Sequence, residues 1–143
     1  MVDTWAWIAL YNPADHYHDI ARLASEELLE AGYHWLTTNF ILDEAYTALR
    51  RGASVKRAVG FGRRIQAIAG SGALEIVTIS EQIEQSAWQL FERYDQARDL
   101  SFTDCTTFAV SNVKKTGKTT CNALLTGWRW LAMTGEHFCA AND

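Results

Sequence analysis

Leu74-Glu75-Ile76-Val77-Thr78-Ile79 is a β-branched run closed off on both sides, by Gly70-Ser71-Gly72 before it and the helix-capping Ser80 after it. A short apolar run bounded in this way reads as a strand. The segment after Ser80 is helical. Ile83, Ala87, Leu90, Phe91 and Tyr94 repeat at helix spacing, and Glu81 and Glu84 suit the positive end of the helix dipole. A second strand, residues 33–37, stands between a helix predicted over 16–31 and another opened by the cap residues Thr37-Thr38-Asn39. Strands that alternate with helices pack as an α/β domain around a largely parallel sheet, because each strand finds its neighbour across a crossover.

In the helix over 16–31, Ile20, Leu23, Ala24, Leu28 and Ala31 mark a buried face and Gly32 the left-handed stop; Asn12-Pro13-Ala14-Asp15 before it is a turn. The helix after Asn39 buries Ile41, Ala45, Ala48 and Leu49. Arg50, Arg51, Lys56, Arg57, Arg63 and Arg64 then follow with no acidic residue among them, which leaves the rest of the chain acidic. Such a run is either a solvated helix face or a phosphate-contacting edge beside a cleft. Gly52, Gly60 and Gly62 within it predict a mobile segment. A last helix runs from Ser101 through Phe108, Ala109 and Val113 to about 115–117, with a final short strand at 122–126. Residues 127–143 are less patterned.

With 143 residues, 48% apolar and 12% aromatic, the chain suits one domain spanning 1–143. A net charge of −4 argues against a general nucleic-acid coat protein and against membrane-surface binding, and leaves room for a local basic face. Cys105, Cys121 and Cys139 form no Cys-x-x-Cys pair, so neither a disulfide framework nor a zinc site is indicated. No leader pattern and no apolar window of about eighteen residues is present, so a soluble protein of the reducing cytoplasm is expected, with no membrane partner.

Asp104 is the residue with chemistry to explain. Three places after Ser101, it completes a capping box at the start of the last helix. It is also a metal ligand if carboxylates from distant parts of the chain join it. Asp3, after the single apolar Val2, and Glu44, just past a strand, are the two candidates. In a parallel sheet functional groups collect at the carboxyl ends of the strands, where all three would lie. The plainer readings are a helix cap for Asp3 and a solvated helix residue for Glu44. Nothing couples a nucleophile to His16, His18, His34 or His137, so a Ser-His or Cys-His mechanism has no support.

Three stretches together resemble the PIN-domain proteins of the VapC toxin type. They are Val2-Asp3-Thr4 with Ala6-Trp7-Ile8-Ala9-Leu10, then Thr38-Asn39-Phe40-Ile41-Leu42-Asp43-Glu44, then Leu100-Ser101-Phe102-Thr103-Asp104-Cys105-Thr106-Thr107-Phe108-Ala109-Val110. The resemblance spans about residues 2–126 and implies a three-layer α/β/α sandwich with a largely parallel central sheet. It further implies an endoribonuclease dependent on Mg²⁺ or Mn²⁺, RNA as substrate, a cognate antitoxin that blocks the site, and a homodimer. Asp3, Glu44 and Asp104 match three acidic positions of the family, and Asp99 lies close to a position sometimes acidic. Arg50, Arg51, Lys56 and Arg57 are the candidate RNA contacts.

The chain departs from the family pattern in three places. Little precedes Asp3, Trp5 stands where relatives often carry a small hydroxyl residue, and Trp128 falls where a further aspartate is expected after the last strand. Glu136 is the nearby carboxylate able to substitute. These departures predict a truncated start and an altered, frame-shifted tail, with the stretch from about 127 atypical. They also keep a second function open, a nuclease-inactive PIN module that binds RNA or an antitoxin. A third, a phosphatase with an aspartate nucleophile after the first strand, requires a second acid two residues on, where this chain has Trp5.

Overall fold

The computed structural model describes residues 1–113. Along the chain come α1 (Thr4–Tyr11), α2 (His18–Glu30), β1 (Trp35–Thr38), α3 (Asn39–Gly52), α4 (Val55–Gly70), β2 (Leu74–Val77), α5 (Glu81–Arg93) and α6 (Phe102–Val113). Hydroxyl side chains set several of the helix starts. Thr38 Oγ1 accepts from the Ile41 amide at 3.1 Å, Ser54 Oγ from Arg57 at 3.2 Å and Ser80 Oγ from Ile83 at 3.4 Å. Gly32, at φ +83°, ends α2: its own amide donates to the Leu29 carbonyl and the next amide, of Tyr33, to that of Leu28.

β1 and β2 pair in parallel, Trp35 opposite Leu74 and Thr38 opposite Val77. Val2 joins on the far side of β1, its amide donating to the Leu36 carbonyl at 2.7 Å. The first strand therefore amounts to one bridging residue, and the chain enters α1 immediately after it. Thr37, fully buried, ties the pieces together: its hydroxyl donates to the Val2 carbonyl at 3.1 Å and accepts from the Trp7 indole at 3.0 Å. The described residues form a mostly helical α/β domain around a small parallel sheet, the arrangement expected from the sequence.

Among the described residues two apolar clusters form the core. One gathers Val2, Trp7, Ile41, Ala45, Leu49, Phe61, Ile65 and Leu74 from α1, α3, α4 and the strands. The other joins Ala87 to Leu100, Cys105 and Ala109 between α5 and α6.

Three expectations are corrected. The strand expected to run to Ile79 ends at Val77, because the Ile79 amide is taken by the Asn39 side chain at 2.8 Å and leaves the ladder. In α2 the buried positions are the small Ala21 and Ser25, whereas Ile20 and Leu23, expected inside, are 61% and 50% exposed. Small residues let α2 approach α1 closely, and the larger apolar side chains are left on the flank. Two of the three glycines of the basic stretch, Gly60 and Gly62, sit inside the regular helix α4 against aromatic side chains, whereas Gly52 ends α3 with open space about it. A Cβ on Gly60 would stand 2.5 Å from the Tyr11 hydroxyl, and one on Gly62 would touch the Tyr46 ring at 3.5 Å. The strand expected at 122–126 and the helix end at 115–117 lie outside the described residues.

Candidate active site

Asp3 is the N-cap residue of α1, in extended backbone, and its side chain makes no capping bond. The residue after it makes the decisive connection. Thr4, almost fully buried, donates its hydroxyl to Glu44 Oε2 at 2.9 Å across forty positions of sequence. Glu44 stands in the second turn of α3, whose register Thr38 and Asn39 fix at the carboxyl ends of β1 and β2.

Asp104 enters from α6. Its Oδ2 accepts from the Ser101 amide at 2.9 Å and the Ser101 hydroxyl at 2.8 Å, while Ser101 Oγ accepts from the Asp104 amide at 3.1 Å. The capping box expected from the sequence is therefore formed, and it holds the carboxylate in the first turn of the helix. The Phe40 and Phe102 rings, 6.4 Å apart, bring the first turns of α3 and α6 together. Between them opens a cleft of about 390 Å³ lined by Asn39, Phe40, Asp43, Glu44 and Thr103. Glu44 thus faces the cleft, and Asp3 and Asp104 are each one residue from a side chain bound to Glu44 or lining that cleft.

The side chains of Asp3, Glu44 and Asp104 do not meet at one point. Among the described residues no group of three or more His, Cys, Asp or Glu side chains is placed to hold a metal ion. The physical reason is visible for two of them: Glu44 has taken the Thr4 hydroxyl as its donor, and Asp104 has taken Ser101. Like-charged carboxylates do not crowd together without a cation to offset the repulsion. The donor chemistry, hard carboxylate oxygens beside an open cleft, fits a hard divalent cation; the convergence of three ligands is not formed.

The other expected residues are scattered. Asp99 lies exposed in the turn before α6, and Trp5 is 69% exposed on α1. Glu136 and Trp128 lie outside the described residues. Arg50 and Arg51 end α3, and Lys56 and Arg57 open α4. At about 1.5 Å per residue, Arg51 lies on the order of 10 Å along α3 from Glu44, so the basic edge does not border the acidic cleft directly. It borders a second cleft of about 690 Å³, lined by Tyr11, Ser54, Lys56, Arg57, Val59, Gly60 and Arg63. Asn39, Asp43 and Thr103 at the first cleft were not singled out from the sequence, although Asp43, next to Glu44, carried the residue type to look for. Burial pushes the Cys105 thiol up from its ordinary value, and the neighbouring Asp104 charge adds to that.

The PIN domain family model matches residues 1–122. The chain belongs to the PIN-domain family. A solved structure agrees with that assignment. The crystal structure of Mycobacterium tuberculosis VapC20, described as a sarcin–ricin loop cleaving toxin, is similar at 31% identity and a TM-score of 0.65, over 80% of this chain and 82% of that one. No curated protein matches. Family and structural likeness together make this a VapC-type PIN-domain protein. No helix among its described residues is long and apolar enough to cross a membrane.

Proposed function

We propose that this VapC-type PIN-domain protein is a metal-dependent endoribonuclease of the cytoplasm, the toxin of a toxin–antitoxin pair, acting as one domain on RNA. The observation that carries the reading is the Thr4–Glu44 bond, which joins the start of the chain to the cleft that Thr103, next to Asp104, also lines. Asp3, Glu44 and Asp104 would hold Mg²⁺ or Mn²⁺, which lowers the pKa of bound water and offsets charge developing on the phosphate.

The protein's own residues do the rest. Thr4 fixes the Glu44 carboxylate, Ser101 fixes that of Asp104, and Asn39 pins the loop after β2 against the mouth of the cleft. Water attacks phosphorus, the bond to the 3′-oxygen breaks, that oxygen leaves protonated, and the product keeps a 5′-phosphate. Asp99 and Glu136 are the carboxylates available to assist. Arg50, Arg51, Lys56 and Arg57 would contact the RNA backbone. An antitoxin covering the cleft and a homodimer complete the proposal. The named target of VapC20 makes a structured RNA the first substrate to try.

Two observations favour the second reading, a nuclease-inactive module that binds RNA or an antitoxin. Under the family resemblance Trp128 falls where a fourth acid is expected, and no three-ligand group is gathered among the described residues. Cleavage of a labelled RNA stem-loop in Mn²⁺, with Asp104→Asn and Glu136→Gln beside the unmodified chain, separates the two. The nuclease reading expects cutting that Asp104→Asn abolishes, and a loss with Glu136→Gln only if the tail supplies an acid. No cutting by the unmodified chain hands the function to the binding module.

A further inference from the structure

The second cleft is built from one face of α4 and the end of α1. Lys56, Val59, Gly60 and Arg63 recur at the spacing that puts them on a single helix face, and Tyr11 packs over Gly60, where any Cβ would strike its hydroxyl. Arg57, beside them, is held by a bond from its Nη1 to Asn12 Oδ1 at 3.1 Å. Unlike Arg22, which pairs with Glu26 on α2, Lys56 and Arg63 present their charge without a carboxylate partner among the described residues. No acidic residue occurs between Arg50 and Leu74. Three cations thus share a cleft of about 690 Å³ on a protein that is acidic overall.

We propose that this cleft is a seat for the RNA phosphate backbone, separate from the acidic cleft, with Lys56, Arg57 and Arg63 as its contacts and Tyr11 as its wall. The inference rests on the ribonuclease reading for its substrate but not for its binding. Cationic charge gathered along one open cleft attracts a polyanion and releases its counterions. Lys56 to Arg63 covers roughly 10 Å along the helix axis, long enough to meet more than one backbone phosphate. RNA held there reaches the acidic cleft only if it is long enough or folded enough to bridge the two. The seat thus favours structured RNA over short single strands.

The test uses the full chain carrying Asp104→Asn, so that substrate persists, and a fluorescent RNA stem-loop titrated at several salt concentrations. Lys56→Ala with Arg63→Ala should weaken binding and lower the slope of log affinity against log salt by about 1.4 to 1.8, the change expected when two fewer phosphates are neutralised. Arg93→Ala with Arg98→Ala, an equal change of charge on and after α5, should leave the slope unchanged. In the chain with Asp104 intact, the Lys56/Arg63 pair should reduce cutting of the stem-loop and spare a short oligonucleotide. An unchanged slope in the Lys56/Arg63 variant overturns the seat. So does loss of polyglutamate binding with RNA binding intact, which would make the cleft a site for an acidic polypeptide. A lowered slope in a chain that cuts nothing keeps the seat and removes the nuclease.

Discussion

The Thr4 hydroxyl donates to Glu44 at 2.9 Å from a position almost closed to solvent, so its loss strips Glu44 of a fixed donor and leaves an apolar contact in its place. Thr4→Val should cost about 1 kcal/mol of stability. It should also lower cutting more than that loss explains, with Thr4→Ser restoring most of both; thermal melts and cleavage rates on the three proteins check this. Cys105 is the second residue with a measurable signature. Its thiol, fully buried and beside Asp104, is held above its ordinary value of 9.0, so the folded state prefers the neutral form. Its contribution to stability is whole below that value and declines as pH rises through the raised one. Tyr46, also raised by burial, adds to the same alkaline decline. Cys105→Ala should therefore flatten, without removing, the fall in melting temperature between about pH 8.5 and pH 11.

Within α6 the capping box has a structural and a chemical half, and substitution separates them. Ser101→Ala removes the acceptor for the Asp104 amide and one donor to its carboxylate, and should cost about 1 kcal/mol in denaturant melts. Asp104→Asn keeps an oxygen acceptor in the same place, so it should stay within about 1 kcal/mol of the unmodified chain while abolishing cutting. In α4, Gly60→Ala gains up to about 1 kcal/mol of helix propensity but drives a methyl into the Tyr11 hydroxyl. It should destabilise the unmodified chain and stabilise one carrying Tyr11→Phe, a reversal of sign that denaturant midpoints would register. The capping box was legible in the sequence because its two partners lie three residues apart. The role of Gly60 was not, because Tyr11 meets it from forty-nine positions away. For the same reason the exposure of Ile20 and Leu23 escaped the pattern: periodicity finds an apolar face but not which flank the neighbouring helix covers.

Taken whole, the molecule hangs its site on the cluster around Phe61, a fully buried ring that meets Tyr11, Tyr46 and Trp7 at 5.4, 5.5 and 6.2 Å. Phe61→Ala should cost about 3 to 5 kcal/mol and loosen the α1–α3 contact that aligns Thr4 with Glu44. The three carboxylates stood out together only through the family resemblance, and the structure does not gather their side chains into one group among the described residues. The separation of the basic cleft from the acidic one was not legible, since it depends on the length and direction of α3. The central claim is that Asp3, Glu44 and Asp104 share one divalent cation. Its most direct test is the affinity for Mn²⁺ followed by electron paramagnetic resonance, on the full chain and on Asp3→Asn, Glu44→Gln and Asp104→Asn separately. The account predicts one site in the unmodified chain and a loss of about tenfold or more for each variant, at least the size of effect seen when a supporting partner of a ligand is removed. Equal affinity in all four proteins would contradict it.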